Sequence, residues 1–357
     1  MNIGINTLQY ARNYGAMLQA YALKTFLESQ GHSVCFINKR LLPICKWNPK
    51  PFKKCTLLEK LLYIKYLVKW YLPPYILSRI REHNFDRFYN HFLNTMTLSN
   101  LDVVIYGSDQ IWSKFKFGFN PYFWGYDGLD VTKRIAFSAS MGVLDIKEED
   151  RNFITSALKQ FSFISVREQD LCDMLNGGHY AEHTIVYRTI DPVFLLNKQI
   201  WEALASKRIV NKPYLLFYDF QIDAKTTTLA KQIAKERGLL LVRITDGIVD
   251  TKRDKYHFKC AGPLQFLSLI KYADFVLASS FHGTAFSIIF HKEFCVRQIW
   301  NTSRVMSLLN LVGLSDRMID KIEDFRLCVD VDYHDVDLRL EKEKLNSKLY
   351  LQGALKE

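Results

Sequence analysis

Apolar residues gather along this chain in short runs that alternate with stretches of helical spacing. Residues 2–7 form one such run, residues 8–14 a polar loop, and residues 15–30 a helix with Met17, Leu18, Tyr21, Ala22 and Phe26 on one face, which Gly31 stops. Residues 34–37 supply a second apolar run, so the chain opens with a βαβ unit and hence a parallel sheet. The alternation resumes at residues 102–106 and 135–137, a helix near 148–160, and a strand at 163–166.

Between these, residues 53–98 interrupt the pattern with two helical segments separated by Pro73-Pro74, the first running from about 56 to 72. That segment carries Leu57, Leu61, Ile64, Leu67, Val68 and Tyr71 on one side and Lys65 and Lys69 on another, so it is amphipathic. Glu59, Lys60, Lys65 and Lys69 break it too often for the roughly 20 apolar residues of a membrane span. Packing against the sheet and peripheral docking on the inner membrane leaflet both fit its Lys-, Trp- and Tyr-rich surface.

A second set of alternations begins after Trp201, with strands at 214–218, 239–244 and 274–278 and helices ending at Arg237, at 263–272 and at 284–290. The reading is α/β: two Rossmann-like domains facing each other across a cleft. The first spans 1–200 and holds the helical insertion, the second spans 201–335, and a helical tail covers 336–357. Strand C-terminal loops of both domains then meet at the cleft.

The chain has 357 residues, enough for two cores rather than one, and 48% hydrophobic content excludes disorder. Forty-eight Lys and Arg against 37 Asp and Glu give a net charge of +11, which favours anionic partners. No RNP-like, helix-turn-helix or Cys/His finger pattern is present, so nucleic acid is not expected as the partner. The N-terminus reads as a first strand rather than an export signal. Seven cysteines at 35, 45, 55, 172, 260, 295 and 328 form no C-x-x-C pair and suit a reducing, cytoplasmic setting.

Four places carry candidate chemistry. After the buried run 275–278, Ser279 and Ser280 end the strand, Gly283 permits a sharp turn, Thr284 can cap a helix, and His282 projects beside an anion-binding helix start. A lone histidine at a tight turn can equally just bond a backbone carbonyl. The second place is Gly107-Ser108-Asp109-Gln110, where Asp109 suits either a helix cap or a sugar hydroxyl, and Trp112 offers a flat face to a pyranose. The third is Asn13-Tyr14-Gly15, where the glycine allows a close backbone approach. The fourth is Arg167, directly after a strand, either a clamp on carboxylate or phosphate or the partner of Glu168 or Asp170. His179 and His183 stand beside Gly177-Gly178 in a loop-like context, so no metal is assigned. There is no G-x-G-x-x-G, Walker or G-x-S-x-G motif.

Taken in order, Asn13-Tyr14-Gly15-Ala16-Met17-Leu18-Gln19-Ala20-Tyr21-Ala22-Leu23, Gly107-Ser108-Asp109-Gln110-Ile111-Trp112, Ser165-Val166-Arg167-Glu168, Asp191-Pro192 and Ser280-Phe281-His282-Gly283 resemble the polysaccharide pyruvyl transferase family. The resemblance implies a glycosyltransferase-B-like (GT-B-like) fold, phosphoenolpyruvate as co-substrate without a further cofactor, and a pyruvate ketal formed on two hydroxyls of a sugar. That sugar would belong to a bacterial exopolysaccharide or capsule, or to a nucleotide-linked or lipid-linked precursor. By the same resemblance, His282 is the acid/base or phosphate-contacting residue. Arg167, Ser280, Gly283, Thr284 and Arg304 stand on the donor side, and Asn13, Tyr14, Gly15, Ser108, Asp109, Gln110 and Trp112 on the acceptor side. Some members carry an arginine two residues before the histidine; this chain has Ser280 there. A nucleotide-sugar glycosyltransferase shares the same expected architecture, and a non-catalytic carbohydrate-binding protein is a third reading.

Overall fold

A computed structural model of the chain describes residues 1–37, 72–144, 146–245, 247–248, 254–300 and 302–356. The predicted helix at about 56–72 lies outside the described residues, apart from Leu72.

Two parallel sheets organise the fold. The first contains β1 (Asn2–Asn6), β2 (Ser33–Phe36), β3 (Val103–Tyr106), β4 (Lys133–Ala139), β5 (Phe163–Val166) and β6 (Val186–Arg188), in the order β2-β1-β3-β4-β5-β6. The second contains β7 (Tyr214–Asp219), β8 (Leu240–Thr245), β9 (His257–Phe258), β10 (Phe275–Ala278) and β11 (Phe294–Val296), in the order β11-β10-β7-β8-β9. Central strands such as β3, β7 and β10 are buried at every position. Strands covered by helices on both faces need apolar side chains on both, which is why these segments read as continuous apolar runs rather than as alternation.

Three strands escape the sequence pattern: β6, β9 and β11 have two or three residues each, too few for any periodicity to show. The helix expected at 284–290 runs instead from Phe281 to Ile289. Ser280, not Thr284, is its N-cap and accepts from the Gly283 amide at 3.1 Å, while the Thr284 hydroxyl donates back to the Ser280 carbonyl at 3.0 Å. Gly283 therefore sits in the first helical turn rather than in a sharp bend.

Within the insertion, Pro73 and Pro74 open the helix Leu72–Phe88, where a missing amide hydrogen costs nothing. The helix then ties the two halves together: Asn84 donates to the Cys260 carbonyl at 2.7 Å, and Phe85 packs on Tyr14. Tyr14, in helix Tyr14–Ser29 of the first half, donates to the Ala261 carbonyl at 2.9 Å and stacks on Phe266 of the second. One buried apolar cluster accordingly runs from Ile3 and Leu18 through Trp201 and Phe266 to Phe286.

The tail is a single helix, Tyr333–Lys356, that leaves the second half and returns to the first. Its Ser347 accepts from the Ile190 amide at 3.0 Å, its Glu343 pairs with Arg188 at 2.7 Å, and its Ala354 carbonyl accepts from Lys133 at 2.9 Å. Among the described residues no helix is long and apolar enough to cross a membrane.

Candidate functional site

Parallel strands deliver their C-terminal loops to one edge of each sheet, and in this fold the two edges face each other. Between them lies a cavity of about 430 Å³. The loops after β1 and β3 line it from one side with Tyr10, Arg12, Asn13, Asp109 and Gln110. Tyr218, Ser280, Phe281, His282, Gln298 and Arg304 line it from the other.

His282 stands at the first turn of helix Phe281–Ile289, with its ring lodged against the start of helix Tyr14–Ser29. A methyl group on Gly15 would lie 1.9 Å from Nδ1 of the imidazole, so the absence of a side chain at Gly15 makes room for the histidine rather than for a ligand. On the ring's other side, Nε2 is buried and lies 3.6 Å from the Asp191 carboxylate. Asn13 caps the Tyr14–Ser29 helix through the Ala16 amide at 3.1 Å, so two helix N-termini, each with its partial positive charge, converge on the cavity.

Beneath the histidine is a buried charge network. Asp191 accepts from Arg167, from the Ser108 hydroxyl at 3.2 Å and from the Val193 amide at 3.1 Å. Burial alone would raise its pKa, but His282, Arg167 and the Val193 amide outweigh burial and hold the carboxyl well below the usual carboxylate range. Arg167 also meets Glu168 at 3.3 Å, and its guanidinium lies over the Phe281 ring at 4.5 Å. Glu168 accepts from Ser140 at 2.6 Å; burial pushes its pKa up despite Arg167 and that hydroxyl.

Arg304 is placed differently. It reaches the cavity wall from helix Ser303–Leu311 and is buried, and its nearest carboxylate, Asp109, is 3.9 Å away. Its Nε is buried without a hydrogen-bond acceptor. Burial first, then the like charge of Arg167, push this guanidinium down to about 10. Asp109, Glu168 and Asp191 offset part of this, and a buried cation beside another cation favours an incoming anion. Asp109 itself adopts φ 61°, which aspartate tolerates better than most residues, and burial would raise its pKa. Lys116, His282, Arg167 and Arg304 outweigh burial and lower it, so it stays a carboxylate.

Of the residues expected at the site, His282, Ser280, Arg304, Asn13, Asp109 and Gln110 line the cavity. Several others do not. Trp112 has no face to offer a sugar: it is fully buried, stacked on Trp124 with ring centres 4.5 Å apart, and donates to the Phe123 carbonyl at 3.0 Å. Replacing it with alanine should lower stability by about 3–5 kcal/mol in denaturant titration. It should leave the acceptor KM of the remaining folded enzyme unchanged. Arg167 lies under the cavity rather than on its wall, paired with Asp191 and Glu168, while its Nη2 is buried without a hydrogen-bond partner among the described residues. Ser108 and Tyr14 are buried in bonds within the protein. Gly283 gives up its side chain because a methyl there would meet the Tyr218 ring at 2.8 Å. Thr284 is buried on its own helix.

Asp191, Gln298, Tyr218 and Arg12 belong to the site and were not assigned to it from the sequence. The Asp191-Pro192 dipeptide was the one available signal, since both a turn and a motif segment fall there.

Two Rossmann-like domains closing on a charged cleft define an α/β protein of GT-B-like architecture. UDP-GlcNAc 2-epimerase from Neisseria meningitidis, bound to UDP-GlcNAc, shares this fold: TM-score 0.51 at 12% identity, covering 100% of this chain and 100% of that one. A glycosyltransferase from Rickettsia africae matches with a TM-score of 0.48 at 12% identity, over 99% of this chain and 96% of that one. No curated protein sequence matches the chain. The family model described as "Polysaccharide pyruvyl transferase" matches residues 13–297, and the chain belongs to that transferase family.

Proposed function

We propose that the protein transfers the pyruvyl group of phosphoenolpyruvate to two hydroxyls of a saccharide of a bacterial surface polysaccharide or its precursor, releasing phosphate. Family membership supports the reaction class. The observation that carries the donor is Arg304, a buried cation on the cavity wall whose Nε has no acceptor among the described residues, within the same site as His282.

In this reading the carboxylate and phosphate of phosphoenolpyruvate settle against Arg304 and the N-terminus of helix Phe281–Ile289, whose first amides have no intrahelical acceptor. His282 protonates the methylene carbon, one sugar hydroxyl adds to the cationic carbon, phosphate leaves, and the second hydroxyl closes the ketal. One hydroxyl proton replaces the proton spent on the methyl group, and the other leaves with phosphate. Asp109, an ionised carboxylate at the cavity wall, is placed to accept a hydroxyl hydrogen. Ser280 fills the position of an arginine by capping the helix, and Arg304 supplies the positive charge from another helix.

Phosphate release should require donor and acceptor together; a glycosyltransferase would instead consume a sugar nucleotide, and a binding protein would release nothing. Arg304→Ala should raise the KM for phosphoenolpyruvate roughly ten- to hundredfold, the loss of one charge-assisted contact of about 1.5–3 kcal/mol, with Arg304→Lys in between. Unchanged donor KM in both variants would remove Arg304 from the site.

A further inference from the structure

We infer that Asp191 is the positioning residue of His282, fixing the orientation of its ring and holding the proton of the neutral imidazole on Nε2. This rests on the proposed role of His282 in pyruvyl transfer. The geometry behind it is specific. Nε2 is buried, has no hydrogen-bond partner among the described residues, and lies 3.6 Å from Oδ2 of Asp191. Nδ1 faces the other way and packs against Gly15.

Asp191 is itself held immobile. The Val193 amide takes one oxygen, while Arg167 and the Ser108 hydroxyl take the other, the one facing His282. The whole carboxylate is buried, as is Arg167. The charged groups around His282 are Asp191 behind it, and Asp109, Arg167 and Arg304 on the neighbouring elements. Among the described residues, only Asp191 lies within ion-pair distance of the imidazole. A buried carboxylate ordered by three donors and aimed at one ring nitrogen leaves a single favoured tautomer, as in other sites where a carboxylate orients a catalytic histidine.

Two measurements test this. In protein labelled with ¹⁵N-histidine, with the His282 signal assigned from its absence in His282→Gln, the ring nitrogens should report the Nε2–H tautomer at neutral or mildly alkaline pH. The Nδ1–H tautomer in the wild-type protein would overturn the inference without any variant having to fold. In Asp191→Asn the tautomer preference should be lost and kcat should fall by roughly 10²–10⁴-fold, with the phosphoenolpyruvate KM little changed. Asp191→Glu should recover part of the rate. A variant that raises KM and leaves both kcat and the tautomer unaltered would overturn it too. If the wild-type protein released no phosphate at all, the transfer reading would fail, while the tautomer would still decide the role of Asp191.

Discussion

His282→Ala should reduce kcat for phosphoenolpyruvate-dependent phosphate release by roughly 10²–10⁴-fold, the usual contribution of a positioned acid or base, with little change in the donor KM. The fold should survive. Helix Phe281–Ile289 is capped by Ser280, not by His282, and its anchoring comes from Phe281, Phe286, Ile288 and Ile289, all buried. Circular dichroism and thermal melting should therefore match the wild type. A variant with normal kcat and a raised donor KM would show that His282 only holds the phosphate, and the proton would have to come from elsewhere.

Gly15→Ala should produce a similar defect by geometry alone. Its methyl would stand 1.9 Å from Nδ1 of His282, a distance no side-chain contact tolerates, so the imidazole must swing away from Asp191. Displacing a catalytic group by about an ångström costs roughly 10²-fold in rate. Alanine is at the same time the better helix former by about 1 kcal/mol, and Gly15 lies inside the first turn of helix Tyr14–Ser29. Strain from the overpacked contact should outweigh the helix gain, so the melting temperature should fall modestly while kcat falls; full activity in Gly15→Ala would mean that His282 works from another position.

The parallel sheets were legible because helices cover both faces of their strands, which forces unbroken apolar runs at Val103–Tyr106, Tyr214–Asp219 and Phe275–Ala278. From those runs the loops that follow them could be placed at the cleft, and His282, Asp109, Gln110 and Asn13 are found there. What escaped was pairing at a distance in sequence. Arg167 follows β5 and Asp191 follows β6; the two meet only because those strands are neighbours, and β6 has three residues, too short to announce itself. The arginine that looked like a donor clamp is for that reason a buried partner of Asp191.

Trp112 misled for a related reason. An indole one turn beyond a strand is equally suited to a sugar or to a core, and the choice was made by Trp124, twelve residues later, which stacks on it. Gly283 and Thr284 looked like a turn and a cap because glycine and threonine favour those places. The packing of Tyr218 against Gly283 and the hydroxyl cap at Ser280 instead start the helix three residues earlier. In each case the local residue types were read in agreement with their chemistry, and a tertiary contact decided between two uses of it.

The most direct test of the central claim follows the donor carbon. Phosphoenolpyruvate labelled with ¹³C at C2 would be incubated with the protein and a panel of nucleotide-linked and lipid-linked saccharides, and the products read by NMR and mass spectrometry. The label should appear as a ketal carbon on a saccharide that has gained one pyruvate less one water, with one phosphate released per ketal, and His282→Ala should form it at least about a hundredfold more slowly. Label that never leaves phosphoenolpyruvate while a nucleotide-linked sugar in the panel is transferred to another saccharide would contradict the account.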